Sequence, residues 1–315
     1  MPSYSGVWTL TAVYQAVGAG NWTNPSTPIA LFASQFSTGT AQAINQIIIT
    51  TTGNATTFGN LTIDKQQAAG CGSATRGLWG GGYDGAEVNG IDYVTFATAG
   101  NAVSFGSLTE ARRDFGASGS STRGIFGGGR NSSAVSNVID YVTYATTGNA
   151  ADFGDLTVAR RAVSSCSSPT RSLWGGGDTA SITSVIDYVT ISTTGNATSF
   201  GSLSVTRGYT SACSSSTRGL FAGGILSDGS TQSNIIDYVT IATTGTATDF
   251  GDLLATNNSM GGASSETRGI FAGGKGANVI QYVTIASTGN ATDFGDLLGN
   301  SSQMAGCSNV NGGVQ

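Results

Sequence analysis

The sequence predicts an all-β protein, a six-bladed β-propeller in which each blade is an antiparallel sheet of four short strands. A strand of the form IDYVT recurs every 44–50 residues, with starts near Ile44, Ile91, Ile139, Ile186, Ile236 and Ile280. Each repeat also holds short β-branched and aromatic runs separated by Gly-Asn or Ser-rich turns, which are typical of hairpins. A period of roughly 40–50 residues with four strands is typical of a propeller blade.

Residues 160–203 illustrate the predicted order of strands within one repeat. Strand one is RRAVSS (160–165), strand two is RSLWGG (171–176), strand three is IDYVTIS (186–192) and strand four is TSFGSL (198–203). The turn CSSPT joins strands one and two, and TTGN joins strands three and four. A loop that varies between repeats joins strands two and three.

The two ends of the chain are predicted to complete one blade together. The first repeat begins at strand two (28–34, PIALFAS), and the last stops after strand one (302–308). We expect these two strands to pair, because closure removes the exposed sheet edges of an open stack. The propeller then spans residues 29–315, and residues 1–28 form an N-terminal arm.

Two sets of aromatic residues recur once per repeat. We expect both sets to pack between neighbouring blades, each ring contributing roughly 1.5–3 kcal/mol. On strand two they are Phe32, Trp79, Phe126, Trp174, Phe221 and Phe271, and on strand four they are Phe58, Phe105, Phe153, Phe200, Phe250 and Phe294.

Composition and charge disfavour several classes of function. The net charge of −5 and the pI near 4.6 disfavour a nucleic-acid partner. Because the chain has no histidine, Ser-His-Asp and Cys-His catalysis and the usual zinc ligand sets are excluded. We therefore predict no catalytic residues, no cofactor and no metal. No apolar run is long enough for a membrane span, and the N-terminus lacks the features of a signal peptide.

The cysteines occupy one position of the repeat, which Ser118 and Ala263 fill in two other repeats. They are Cys71, Cys166, Cys213 and Cys307. An exchange among Cys, Ser and Ala indicates a small buried side chain. Equivalent positions on different blades are too far apart for a disulfide, so free thiols are predicted.

Two charged sets also recur. Strand two opens with Arg76, Arg123, Arg171, Arg218 and Arg268, and strand three carries Asp92, Asp140, Asp187 and Asp237. The first repeat has lost both members, with Ile29 and Asn45 in their places, which suggests a pair within a blade. However, the two positions lie at opposite ends of a hairpin, so a pair requires a long reach or a contact between adjacent blades. A structural role and a repeated ligand site both remain open.

The carboxylates of the DFGDL segments recur on strand four. They are Asp152, Asp155, Asp249, Asp252, Asp293 and Asp296. A glycosidase needs two carboxylates in one cleft, whereas these are distributed around a rim. Protection of an exposed sheet edge fits this pattern better, and calcium bound by one such set is the alternative.

Topology divides the loops between two faces, here called the uniform face and the variable face. The 1–2 and 3–4 turns form the uniform face, and the 2–3 and 4–1 loops form the variable face. Recognition usually occurs where loops vary on a fixed frame, although drift in loops that contact nothing gives the same pattern. The candidate binding residues are Tyr83, Asp84, Arg130, Asn131, Asp178, Ile225, Leu226, Asp228 and Lys275 in 2–3 loops, and Arg112, Arg160 and Arg207 in 4–1 loops.

The N-terminal arm carries four large apolar side chains, Trp8, Leu10, Tyr14 and Trp22. Such side chains need a surface to bury against. The arm therefore either packs on its own domain or anchors the chain by docking into a neighbouring protein.

The order of strands also resembles kelch-type β-propellers over residues 29–309. The resemblance depends on the diglycines that end strand two, Gly81-Gly82, Gly128-Gly129, Gly176-Gly177, Gly223-Gly224 and Gly273-Gly274, and the first repeat departs with Ser34-Gln35. The repeat consensus IDYVTIATTGNATDFGDLTVAR, followed by CSSSTRG, resembles repeat proteins of tailed bacteriophages, notably marine ones. SGVWTL near the N-terminus is similar to an arm of phage appendage proteins.

The phage resemblance implies a non-enzymatic virion protein, a tail fibre or appendage component assembled in the host cytoplasm. The arm is then expected to dock to other virion proteins of the tail, collar or capsid. The variable face is expected to contact a host-surface glycan or a partner protein. The alternatives are a purely structural capsid or tail decoration or connector, and a polysaccharide-cleaving enzyme, which the missing histidine disfavours.

Overall fold

The computed structural model describes residues 27–36 and 42–310, and this part of the chain is all-β. Its strands form antiparallel sheets, most of them four-stranded and arranged like the blades of a propeller. The predicted arm residues Trp8, Leu10, Tyr14 and Trp22 lie outside the described residues. Within the described ranges, no helix has the length and apolar character needed to cross a membrane.

The strands follow one another in the predicted order. In chain order they are β1 (Ile29–Phe36), β2 (Ala43–Ile48), β3 (Thr56–Asn60), β4 (Ala69–Gly72), β5 (Arg76–Gly80), β6 (Gly90–Thr95), β7 (Val103–Ser107), β8 (Gly116–Gly119), β9 (Arg123–Gly127), β10 (Val138–Thr143), β11 (Ala151–Asp155), β12 (Ser164–Ser167), β13 (Arg171–Gly175), β14 (Val185–Thr190), β15 (Thr198–Ser202), β16 (Arg207–Gly208), β17 (Ser211–Ser214), β18 (Arg218–Ala222), β19 (Ile225–Leu226), β20 (Ile235–Thr240), β21 (Thr248–Asp252), β22 (Gly261–Ser264), β23 (Arg268–Ala272), β24 (Ala277–Thr284) and β25 (Thr292–Ser308).

The sheets repeat one pattern of pairing. Four of them have the orders β4-β5-β6-β7, β8-β9-β10-β11, β12-β13-β14-β15 and β17-β18-β20-β21. The remaining long sheet has the order β22-β23-β24-β25-β1-β2-β3, because the long strand β25 pairs with β24 on one stretch and with β1 on another. Strands β16 and β19 form a small ribbon between loops.

The predicted pairing of the two chain ends is confirmed. Strand β1 lies antiparallel to the end of β25, with Ala30 opposite Ser308 and Ala33 opposite Ala305. The side chain of Asn309 holds this junction, because its Oδ1 accepts a 2.8 Å hydrogen bond from the Ile29 amide and its Nδ2 donates to the Thr27 carbonyl.

Backbone hydrogen bonds join each sheet to the next at the outer strand. The amides of Gly148 and Ala150, in the turn after β10, donate to the carbonyls of Phe105 and Ser107 in β7. A Cβ on Gly106 of β7 would lie 2.1 Å from the Gly148 carbonyl oxygen. The glycine after each strand-four phenylalanine therefore permits this close approach.

Aromatic side chains fill the space between successive sheets, as predicted. Phe126 and Trp174 are fully buried, and Trp174 packs with Ile125 and Ile139 of the preceding sheet. Its indole Nε1 also donates to the Gly116 carbonyl at 3.3 Å. The core is therefore divided into clusters between sheets.

Candidate functional site

The diglycine that ends strand two lies in close contact with the following 4–1 loop. Gly176 and Gly177 follow β13 with φ values of +68° and +116°, a region that favours glycine. The Gly177 amide donates to the carbonyl of Arg207 in the next 4–1 loop. A Cβ on Gly176 would lie 2.3 Å from that same oxygen, so the sequence at this turn permits close approach of two loops.

The basic residues of the 4–1 loops are buried, and this corrects their assignment to an exposed binding surface. Arg112, Arg160 and Arg207 are 0% exposed. Each forms an ion pair with the aspartate early in strand three: Arg112–Asp140 at 2.9 Å, Arg160–Asp187 at 2.6 Å and Arg207–Asp237 at 2.7 Å, and Lys65–Asp92 at 3.1 Å completes the set. A charge buried to this depth needs a partner of opposite charge. The ion pairs therefore position the 4–1 loops against strand three.

Further hydrogen bonds fix each buried cation in place. Arg112 donates through Nη1 to the Val138 carbonyl and through Nη2 to the Phe126 carbonyl. Thr109 donates its hydroxyl to Oδ1 of Asp140. Burial lowers the pKa of Arg112 and raises the pKa of Asp140, although their mutual attraction opposes both shifts. The network connects a 4–1 loop to the hairpin of the following sheet.

Two repeats replace this network with neutral groups. In the sixth repeat, Asn257 donates to the Gly273 carbonyl at 2.8 Å, and Gln281 accepts from the Leu254 amide at 2.8 Å. In the first repeat, Asn45 accepts from the Leu298 amide. The leucines that replace the threonine or serine are 51% and 56% exposed. The backbone amide therefore keeps a partner after the ion pair is lost.

The arginines that open strand two do not pair with these aspartates, which corrects the hypothesis of a pair within a blade. Arg123 lies 4.9 Å from the ring centroid of Tyr141 and donates to the Ile191 carbonyl of the next sheet at 3.0 Å. The others make the same two contacts: Arg76, Arg171, Arg218 and Arg268. This set therefore joins adjacent sheets through backbone carbonyls and not through the aspartates.

A series of left-handed residues precedes strand one on the variable face. Their φ values are +55° to +59°, and they are Gln67, Asp114, Ala162, Tyr209, Ser259 and Gln303. The amide of each residue from Asp114 to Ser259 donates to the carbonyl of the residue before it in this series. The strands that follow line a central cavity of about 100 Å³. Non-glycine residues rarely adopt this conformation, and each residue of the series directly precedes a segment that lines the cavity.

The structure brings five of the predicted loop residues together. Arg130, Asn131 and Asp178 line a cavity of about 340 Å³ between two 2–3 loops. Asp178, Ile225 and Asp228 line an adjoining cavity of about 410 Å³. Both cavities also share Arg161 and Ala180, so they form one depression, here called the loop trough, across loops 130–135, 178–182 and 225–229.

The other predicted loop residues lie away from the loop trough. Tyr83 stacks on the Arg113 guanidinium, which is 4.2 Å from its ring centroid. Asp84 and Lys275 are exposed in other 2–3 loops, and Leu226 pairs with Arg207 in the β16–β19 ribbon.

The candidate binding residues from the sequence did not include Arg161, Tyr209 or Asp114, of which the first two line the trough. Arg161 donates through Nε and Nη2 to one oxygen of Asp178, at 3.0 and 2.8 Å. Arg130 donates to Asp114 at 3.2 Å. Burial raises the pKa of Asp114, and burial together with the Asp114 charge raises the pKa of Tyr209. Arg161 and Tyr209 belong to 4–1 loops, whose sequence after the buried cation differs between repeats.

The cysteines are free and buried, as predicted. Burial raises the pKa of the Cys71 thiol to about 12, which suppresses nucleophilic chemistry. Asp152 and Asp249 are exposed on strand four. Within the described residues, no three His, Cys, Asp or Glu side chains are grouped closely enough to hold a metal ion.

Comparison with known proteins adds no relative. No protein-family model matches the sequence, and no curated protein matches it.

Proposed function

We propose that this chain is a non-enzymatic bacteriophage virion protein, a tail fibre or appendage component. Its body is a closed, six-bladed, kelch-like β-propeller, with one blade divided between the chain ends. The N-terminal arm docks to another virion protein, and the variable face contacts a host-surface or partner molecule. The virion assignment depends on the resemblance of the repeats to phage proteins.

The order of contacts between strands supports the closed propeller. The innermost strands β4, β8, β12, β17, β22 and β25 contact one another in that order, and β25 contacts β4. The outer hydrogen bonds follow the same cycle, since the Gly53 amide donates to Phe294 and the Ala102 amide donates to Asn60. Each sheet thus has two neighbours, so that no sheet face is left uncovered at the end of a stack.

The observation that carries the functional proposal is the separation of Pro28 and Val310, near the two limits of the described residues, from the variable loops. Pro28 and Val310 lie beside Thr50 and Ser265, among the turns of the uniform face. The loop trough lies on the opposite side, among the 2–3 loops. A body attached through its arm in this way presents its differing loops away from the attachment point.

Localisation on intact particles tests this proposal. Cryo-EM or immunogold labelling should place the chain at a distal appendage with the variable face outward. Location inside a collar or between capsid subunits would instead support the connector function. Absence from purified particles would refute both.

Arm variants test the attachment separately. Replacing Trp8 and Trp22 with Ala should leave the melting temperature of the propeller unchanged and abolish incorporation into particles. Normal incorporation of that variant would refute anchoring through the arm.

A further inference from the structure

We propose that the loop trough binds an uncharged oligosaccharide, with the Tyr209 side chain and the loops around Ala180 forming its contact surface. This inference depends on the proposed function, because it names the ligand class of the variable face.

The shape of the trough suits a short chain of several units. Its two compartments, of about 340 and 410 Å³, each fall within the range of about 300–1,000 Å³ typical of small-ligand sites. They meet at Arg161, Asp178 and Ala180. A ligand that occupies both must therefore pass over Ala180, which is exposed.

The loops that form the trough are held by their own hydrogen bonds. Asn131 Oδ1 accepts from the amides of Ser133 and Ala134, each at 2.9 Å. Asp228 Oδ1 accepts from the amides of Ser230 and Thr231. Because these loops are already ordered, a ligand loses less free energy to loop ordering when it binds.

The charges around the trough are already paired. Arg161 is bound to Asp178, and Arg130 is bound to Asp114. The exposed carboxylate of Asp228 adds negative charge, and its hydrogen bonds to Thr231 and Ser230 lower its pKa to about 2. The carboxylates of Asp114, Asp178 and Asp228 outnumber the two guanidinium groups, so an anionic ligand meets net negative charge whereas an uncharged ligand does not. This favours a neutral saccharide over a phosphorylated, sulfated or sialylated one.

The lining alternates apolar surface with hydroxyl groups. Ile182, Ile225 and the Tyr209 ring supply apolar area in one compartment, and Val135 supplies it in the other. Hydroxyl groups come from Ser132, Ser133, Thr179, Ser181 and Ser227. A sugar presents C–H faces beside hydroxyl groups, and amphipathic aromatic side chains such as tyrosine suit such a surface.

The chain offers matched pairs of variants. Ala180→Trp fills the junction of the two compartments at a φ of +119°, and Gly85→Trp places the same side chain at a φ of +76° on an exposed 2–3 loop outside the trough. Tyr209→Ala removes the ring, and Ala162 shows that alanine occupies the equivalent left-handed position in another repeat. Tyr83→Ala is its control outside the trough.

The test is binding of the purified full chain to a printed array of defined neutral and anionic oligosaccharides, with a heparin hexasaccharide as anionic comparator. The strongest neutral ligand is then titrated by calorimetry. Ala180→Trp and Tyr209→Ala should each weaken binding by about tenfold or more, and the controls by less than about twofold. The affinity should change by less than about twofold between about 50 and 500 mM salt, since screening acts on charges.

Binding only to anionic saccharides, no saccharide binding, or equal binding by all variants would overturn the inference. The assay needs no particle, so its result is separable from the proposed function. If the array is empty but the chain is required for phage adsorption, the ligand assignment fails and the proposed function stands. If neutral saccharide binds in the trough but the chain is absent from particles, the proposed function fails alone.

Discussion

Breaking the buried ion pair of Arg160 and Asp187 tests whether these pairs stabilise the sheets beneath the variable loops. Both side chains are 0% exposed, and Arg160 Nη1 lies 2.6 Å from the Asp187 carboxylate. Arg160→Asn removes the positive charge and leaves the carboxylate with only its Thr157 partners. Removing one partner of a buried ion pair typically costs about 3–5 kcal/mol.

The sixth repeat supplies the matched rescue. There Leu254, Asn257 and Gln281 stand where the fourth repeat has Thr157, Arg160 and Asp187. Asn257 donates to the carbonyl of Gly273, as Arg160 donates to that of Gly176. The triple variant Thr157→Leu, Arg160→Asn and Asp187→Gln therefore removes the carboxylate that the single variant leaves unpaired, and it should recover most of the lost stability.

Urea unfolding followed by tryptophan fluorescence measures both effects. The single variant should lose about 3–5 kcal/mol, with a fall in melting temperature on the order of 10 °C. A loss below about 1 kcal/mol, which is the range of exposed ion pairs, would refute the buried role of Arg160. A triple variant no more stable than the single variant would refute the reasoning from the sixth repeat.

Three further predictions follow from the same frame. Burial raises the Cys71 pKa from its ordinary value of 9 to about 12. The free energy of unfolding should therefore fall as pH rises through this window, by up to about 1.4 kcal/mol per pH unit. Urea unfolding of Cys71→Ala should show a shallower fall. Gly176→Ala should cost about 1–3 kcal/mol from backbone strain alone, and more in total because the added Cβ also meets the carbonyl of Arg207. Gly229→Ala is the control for strain without a clash, since Gly229 has a φ of +74° and no atom lies within 4 Å of the added Cβ. Deleting residues 302–315 exposes an edge of β1 and should cause aggregation on size-exclusion chromatography, whereas a monomer of unchanged melting temperature would contradict the pairing of the chain ends.

The strands were predictable because their signal is local and recurs. IDYVT, the strand-four phenylalanine and the turn residues each return once in every repeat, and the unfinished repeats at the two ends predicted that β1 and β25 pair. The cysteine position was predictable for the same reason, since Ser118 and Ala263 also fill it. A residue type that recurs at the same position of successive repeats indicates how the side chain at that position packs.

The partner of each aspartate was harder to predict, because it lies in the preceding 4–1 loop. One signal was available: Asn257 and Gln281 depart together in one repeat, and Ser301 and Asn45 depart together in another. The loop trough had no such signal. It forms where loops 130–135, 178–182 and 225–229 lie side by side. These 2–3 loops differ in sequence and length, so comparing the repeats does not predict the space between them.

The position of β1 within its sheet determines how the chain bears mechanical load. Strand β1 lies between β25 and β2, with ladder hydrogen bonds on both sides. These bonds run perpendicular to the strand, so tension applied through Thr27 along the strand shears both ladders at once. An outermost strand pulled sideways would instead unzip one bond at a time. If the chain is held by its N-terminal segment, many hydrogen bonds must therefore break together before the protein unfolds.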